Sequence, residues 1–286
     1  VTLTASGPNA EQISFWNAVR GRQFVELQAY LDRQLGEMGL LAIERSGIRA
    51  GERVLDVGCG CGHTTLQLAE RVGAAGCVTG VDVSAPMLER AGQRAGQAGL
   101  ANVRFENADA QTFGFAPGSF ELVYSRFGVM FFADPTAAFA NLRGALVADG
   151  RLVFVCWQAL QHNPWMRVPL AAAAQHVALP PPPAPDAPGP FSFADAERVR
   201  RILEAAGFRE LGFESLERAV TLGGELELER AVEFALAMGP LGAALSETPE
   251  VDRRAVAESV RGALAPYAGA QGVRLPAAAW IVSARA

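Results

Sequence analysis

Three glycines alternate with other residues in the run Asp56-Val57-Gly58-Cys59-Gly60-Cys61-Gly62. Removing every second side chain lets the backbone turn sharply and lets a ligand lie directly against it. Two details narrow the ligand. The third glycine of a dinucleotide fingerprint falls one position later, where this chain has His63. Two residues before the first glycine stands Asp56, whose carboxylate repels a pyrophosphate but suits an ammonium, directly or through water. Asp82 follows Gly62 by twenty residues, the distance at which an acid accepts both hydroxyls of a ribose. These residues together call for a nucleoside with a cationic or zwitterionic tail and no phosphates. Cys59, Cys61 and His63 also raise a metal site, but three alternating positions on one turn do not converge on an ion, so no metal is expected.

Such residues need a strand before the turn and a helix after it. Val54, Leu55 and Val57 give an apolar run of the kind buried on both faces of a sheet. Beyond Gly62 the period changes, and Leu66, Leu68, Ala69 and Val72 recur at helical spacing. Further strands are expected at Cys77 to Val83, Val103 to Asn107, Phe120 to Ser125 and Arg151 to Trp157, with helices between them. Pro86 suits a first helical turn; Asp134 and Pro135 suit a cap and the position after it. Strands alternating with helices predict a parallel sheet covered on both faces.

On these residues the chain resembles the class I S-adenosylmethionine-dependent methyltransferases of the small-molecule type. Asp56 to Gly62 matches the acidic-x-Gly-x-Gly-x-Gly signature, Asp82 the ribose acid, and Asn107-Ala108-Asp109-Ala110 the adenine-reading segment. The likeness covers roughly residues 50 to 158 closely. It implies an α/β, Rossmann-like, mostly parallel seven-stranded sheet with an antiparallel C-terminal edge hairpin and helical lid elements. It implies one domain over 1–286: a helical cap over 1–47, a cofactor core over 48–158, and acceptor-side helices and strands over 159–286. The implied cofactor is S-adenosylmethionine, with S-adenosylhomocysteine as product. Its site is expected at Asp56, Gly58, Cys59, Gly60, Gly62, Asp82, Val83, Met87, Ala108, Asp109, Ala110 and Ser125. In that site Asp82 holds the ribose, Met87 packs on the adenine, Asp109 accepts its amino group, and Asp56 with the turn backbone holds the methionine end.

The flanks are read more coarsely. Residues 1–9 are expected to form a flexible arm, followed by two helices from Ala10 to Glu44. Pro180 to Pro190 reads as an extended linker, and Ala194 to Ala206 as an amphipathic helix. A long strand is expected from Arg209 to Leu222, helices over Glu225 to Met238 and Glu250 to Tyr267, and a closing strand over Trp280 to Ala284.

Half the residues are hydrophobic and the net charge is −5, which argues against a nucleic-acid partner. No transmembrane run or signal peptide is read, so a cytoplasmic protein without a membrane partner is expected. The four cysteines read as small buried residues rather than a disulfide frame. The expected acceptor is a small, partly apolar metabolite. Phe15, Trp16, Phe127, Trp157 and Trp165 are candidates to line its pocket, with core packing as the competing role. Arg126 is placed to pair an acceptor carboxylate or phenolate, or the cofactor carboxylate; a structural salt bridge is the equal alternative. No general base is legible, and the sequence carries no statement of oligomeric state. Two other uses of the same site stand beside methyl transfer. One is sulfonium-assisted cyclisation or rearrangement; the other is cofactor binding without catalysis.

Overall fold

The computed structural model describes residues 3–179, 181, 184, 186–224, 227–248 and 250–286. Three helices come first: α1 (Ala10–Asn17), α2 (Val19–Glu26) and α3 (Gln28–Arg45). The alternating core follows as β1 (Arg53–Val57), α4 (His63–Val72), β2 (Cys77–Asp82), α5 (Ala85–Gln97), β3 (Val103–Asn107) and β4 (Phe120–Arg126). It continues through α6 (Pro135–Ala145) into β5 (Leu146–Trp157). Then come α7 (Pro164–Ala173), α8 (Ala196–Ala205), β6 (Arg209–Thr221), α9 (Leu228–Ala237), α10 (Gly239–Glu247) and α11 (Arg253–Leu264). The two-residue β7 (Ala268–Gly269) and β8 (Gly272–Arg285) close the chain.

The strand order is β3-β2-β1-β4-β5-β8-β6, with β7 paired to β8 off this path. The first five pair in parallel, while β8 lies antiparallel between β5 and β6. Order reverses between β1 and β4, so their outgoing loops diverge and leave a crevice at the carboxyl ends of the strands. The central strands are buried nearly end to end, as a sheet covered on both faces requires. A second apolar cluster joins α7, α9, α10 and α11 to the start of β8 through Val232, Leu241, Val256, Val260 and Leu275.

Several boundaries differ from the sequence reading. The N-terminal segment is three helices, not two. The Asn17 side chain ends α1: its amide donates to the Ile13 and Val83 carbonyls, and its oxygen accepts from the Ala85 N–H. These bonds pull the chain toward the β2–α5 loop, and Ala18 leaves helical geometry. The closing strand is much longer than Trp280 to Ala284. The stretch before Trp280 contains Pro276 and three alanines, which have weak strand preference, and pairing with β6 makes them a strand. Helix α10 lies in the interval between the two expected helices, where Gly239, Pro240 and Gly242 weaken any helical signal. Pro180, Pro182, Pro183 and Pro185 of the expected linker, and Glu225 of an expected helix, lie outside the described residues. The Asp134 cap and Pro135 stand as expected, with Asp134 accepting from the Ala137 N–H.

Among the described residues, no helix is long and apolar enough to cross a membrane. No group of three His, Cys, Asp or Glu among them is placed to hold a metal ion.

Candidate active site

The turn after β1 is built on left-handed backbone. Gly58, Gly60 and Gly62 have φ of 67°, 53° and 80°. A Cβ on Gly58 would stand 2.7 Å from the Gly128 Cα, so the β1 and β4 exit loops touch backbone to backbone. A Cβ on Gly60 would meet only the Met87 methyl, at 2.8 Å. The first contact leaves no room for a side chain, whereas the second faces a movable one.

Asp82 ends β2 beneath this turn. One of its oxygens accepts from the Gly60 N–H and the other from the Ser84 N–H, each at 2.8 Å. Each oxygen keeps a second lone pair, the geometry that two vicinal hydroxyls need. Burial pushes this carboxyl above its ordinary range. Asp109 follows β3. Its Oδ1 accepts from the Gln111 N–H and from the Asn9 side chain, both at 2.9 Å. Asp82, Asp109, Gly58, Cys59, Gly60, Val83, Met87, Ala108 and Ala110 all line one cavity of about 260 Å³.

Three expected cofactor contacts are placed otherwise. Asp56 is fully buried beneath the turn, off the cavity wall, and its Oδ2 accepts from the Thr64 and Thr65 hydroxyls. Burial raises it to about 6 against those two hydrogen bonds, and its Oδ1 has no partner among the described residues. Ser125 is also fully buried and donates to the Val57 carbonyl at 2.7 Å. Gly62 faces Ala91 rather than the cavity. These residues shape the turn from behind. The flanks divide likewise: Trp16, Arg126, Phe127, Trp157 and Trp165 line the cavity, whereas Phe15 turns outward and is 44% exposed.

Several wall residues were missed by sequence reasoning, and four of them bear on its hydrogen bonding and charge. Asn9, in the expected flexible arm, is 4% exposed. Its amide donates to Asp109 and Gln111, and its oxygen accepts from the Ala133 N–H. Gln12 follows it into the wall with Oε1 unpartnered among the described residues. Asp32 and His63 meet Arg126 at the other end. Arg94 bonds Asp32 at 2.8 Å, while His63 Nδ1 lies 3.4 Å and Arg126 3.9 Å from its other oxygen. Arg126 also approaches His63 Nδ1 at 3.0 Å. Guanidinium only donates, so Nδ1 accepts and the proton sits on Nε2. Burial first, then Arg126, lowers His63 to about 4, so it is neutral at pH 7. Gln67 fits that tautomer once its amide is turned over, because its unpartnered Oε1 can then accept from Nε2–H. Against one carboxylate and a neutral imidazole stand two guanidiniums, an excess of one positive charge. Of these four only His63 had a sequence signal, its place beside the glycine turn; nothing in the period marked Asn9, Gln12 or Asp32.

The cavity therefore fits a nucleoside with a zwitterionic tail. Gly60 leaves the turn bare of a side chain beside Met87, Asp82 has free lone pairs, and the charge cluster lacks one anion.

Comparison with known proteins agrees. Residues 54–150 match the family model described as a methyltransferase domain. The aklanonic acid methyltransferase DauC of Streptomyces sp. strain C5 is 40% identical over 117 residues, covering 41% of this chain and 53% of that protein. The O-methyltransferase resE of Aspergillus sclerotiorum is 27% identical, over 80% of this chain and 84% of that protein. The crystal structure of the YcgJ protein of Bacillus subtilis superposes with a TM-score of 0.59 at 18% identity, covering 87% of this chain and 98% of that one, a likeness of fold. In the first two curated relatives, the matched segment spans about half of each protein's length, 53% and 46%. Residues 54–150 are thus similar to a methyltransferase domain, in keeping with the resemblance to S-adenosylmethionine-dependent enzymes that the glycine turn and the two acids carry.

Proposed function

We propose that the protein transfers the methyl group of S-adenosylmethionine to a small, partly apolar acceptor by in-line displacement. One observation carries this reading. The glycine turn, Asp82 and Asp109 share a single cavity with an aromatic wall that includes Phe127, Phe131, Trp157 and Trp165. Relatives whose names specify aklanonic acid methylation and O-methylation support a small-molecule acceptor.

When bound, S-adenosylmethionine supplies a methyl group already activated on a sulfonium. The chain's residues have four tasks. Asp82 holds the ribose hydroxyls, and Asp109 with Met87 and the Ala110 backbone holds the adenine. Arg126, with Asp32 and His63, takes the charged tail, because that cluster carries the excess positive charge. The aromatic wall aligns the acceptor and keeps water out. The N-terminal helices form the lid: Trp16 and Phe24 line the cavity, and the Trp16 carbonyl accepts from the Ser84 hydroxyl at 2.8 Å. The inserted helices wall the acceptor side through Trp165, Phe234 and Met238.

Among the described residues of the wall, none is poised as a general base. The Nδ1 lone pair of His63 is used by Arg126, and Asp32 is paired with Arg94. The acceptor atom must carry its own lone pair or lose its proton to solvent. Calorimetry with S-adenosylhomocysteine tests the reading, with one site per chain expected. Incubation with S-adenosylmethionine and an acceptor should release S-adenosylhomocysteine in equal amount to methylated product. Absence of binding by the folded protein would sink the proposal.

A further inference from the structure

The acceptor side of the cavity has a distinctive surface. Phe127 and Trp157 lie parallel, with ring centroids 4.0 Å apart and planes 14° apart. Trp165 continues this group, 5.2 Å from Trp157. On the lid side Trp16 meets Phe131 at 5.3 Å and Phe24 at 5.0 Å, each edge to face. All six rings line the cavity. The charged and carboxylate groups of the wall belong instead to α3, to the turn and start of α4, and to the exits of β2, β3 and β4.

Phe127 is held in place against its own backbone preference. Its φ is +60°, a left-handed conformation that a bulky side chain rarely adopts. The cause is the next residue. Gly128 is pressed onto the Gly58 Cα, where any Cβ would stand 2.8 Å away, and the Phe127 N–H donates to the Val155 carbonyl at 2.9 Å. The chain must therefore turn at Phe127, and the turn sets its ring against Trp157 beside the glycine turn. Strain of this kind persists only where the surrounding structure enforces it, and it points to a function for the held side chain. A flexible aliphatic guest gains little from fixed parallel and edge-on rings. A flat conjugated guest gains offset stacking and edge-to-face contact from them.

We propose that the acceptor is a planar conjugated ring system, held between the Phe127–Trp157–Trp165 group and the Trp16–Phe131–Phe24 group. This rests on the methyl-transfer reading above and adds the class of acceptor.

The test uses the full chain and two probes, 2-hydroxyanthracene and 1-dodecanol, titrated by tryptophan fluorescence with and without saturating S-adenosylhomocysteine. The planar probe should bind at least tenfold tighter than the chain alcohol. Phe127→Leu should weaken the planar probe at least fivefold, leave the alcohol unchanged, and keep S-adenosylhomocysteine affinity within twofold. Trp165→Leu should do the same and Trp165→Phe should restore binding; if Trp165→Leu does not fold, Phe127→Leu decides. Equal or tighter binding of the alcohol, or planar binding indifferent to the Phe127 and Trp165 changes, would overturn the proposal. Failure of the wild-type chain to bind S-adenosylhomocysteine would strike the cofactor reading instead. The preference between probes is still measured without it.

Discussion

Replacing Asp82 by alanine separates what this carboxylate does for the fold from what it does for a ligand. In the protein it accepts from the Gly60 and Ser84 N–H groups, both at 2.8 Å. Losing both acceptors leaves two donors near the turn unpaired, at about 1–3 kcal/mol each if water cannot reach them. The Gly60 N–H lies inside the turn, and the Ser84 hydroxyl bond to the Trp16 carbonyl does nothing for the Ser84 N–H, so a stability loss of about 2–4 kcal/mol is expected. The binding loss is separate. Two ribose hydroxyls give up hydrogen bonds to a charged group, worth about 1.5 kcal/mol each at the low end. The resulting ~3 kcal/mol is about a hundredfold in Kd. Calorimetry with S-adenosylhomocysteine, run well below the variant's own melting temperature and with circular dichroism as the check on folding, reads the second effect alone. A folded Asp82→Ala protein whose Kd stays within threefold of wild type would refute the assignment of Asp82 to the ribose. A large binding loss with unchanged melting would show that the two backbone bonds contribute little.

Other consequences follow from the same geometry. Gly58→Ala meets backbone and should destabilise the protein by about 2–5 kcal/mol, the left-handed and overpacking costs combined. Gly60→Ala meets only the Met87 methyl and should lose about 1–2 kcal/mol in melts while weakening S-adenosylhomocysteine at least tenfold; equal melting losses would contradict this contrast. His63, held near 4 by burial and Arg126, binds its proton later than the unfolded chain as pH falls. Wild type should therefore lose stability relative to His63→Gln between pH 6.5 and 4, by up to about 3 kcal/mol in denaturant titrations. Asp56, raised to about 6 by burial, acts with the opposite sign in that window but is present in both proteins and cancels from the difference. A pH-independent gap between the two would show that His63 is not held neutral. Asn9→Ala removes the arm's bonds to Asp109, Gln111 and Ala133, so the N-terminal helices should exchange amide hydrogens faster and S-adenosylhomocysteine should bind several-fold more weakly. Cofactor should slow exchange over residues 15–24 in wild type, and unchanged exchange there would mean that these helices are only packing.

The sheet and the cofactor-facing turn were legible because their causes are local. Buried parallel strands read as apolar runs, and glycines at alternate positions report backbone that other residues adopt at a cost. Val54 to Val57, the turn to Gly62, and the acids at 82 and 109 therefore gave up their places without coordinates. Tertiary structure alone decided the rest. Asp56 and Asp82 are both acids at strand ends, yet one lies behind the turn under two threonine hydroxyls and the other faces the cavity. In the parallel β1–β2 register Asp56 lies beside Gly80, so the two acids share a face of the sheet and Asp82 stands two residues farther toward the carboxyl end; only the assembled register shows which of them reaches the site. The charge cluster joins Asp32 of α3, Arg94 of α5 and Arg126 of β4 to His63, and Asn9 reaches Asp109 a hundred residues away. Contacts between distant segments leave no period in the chain. The aromatic wall is a mixed case: Trp16, Phe127, Trp157 and Trp165 could be read as pocket or as core, and only the fold sets them on one cavity together with Phe24 and Phe131.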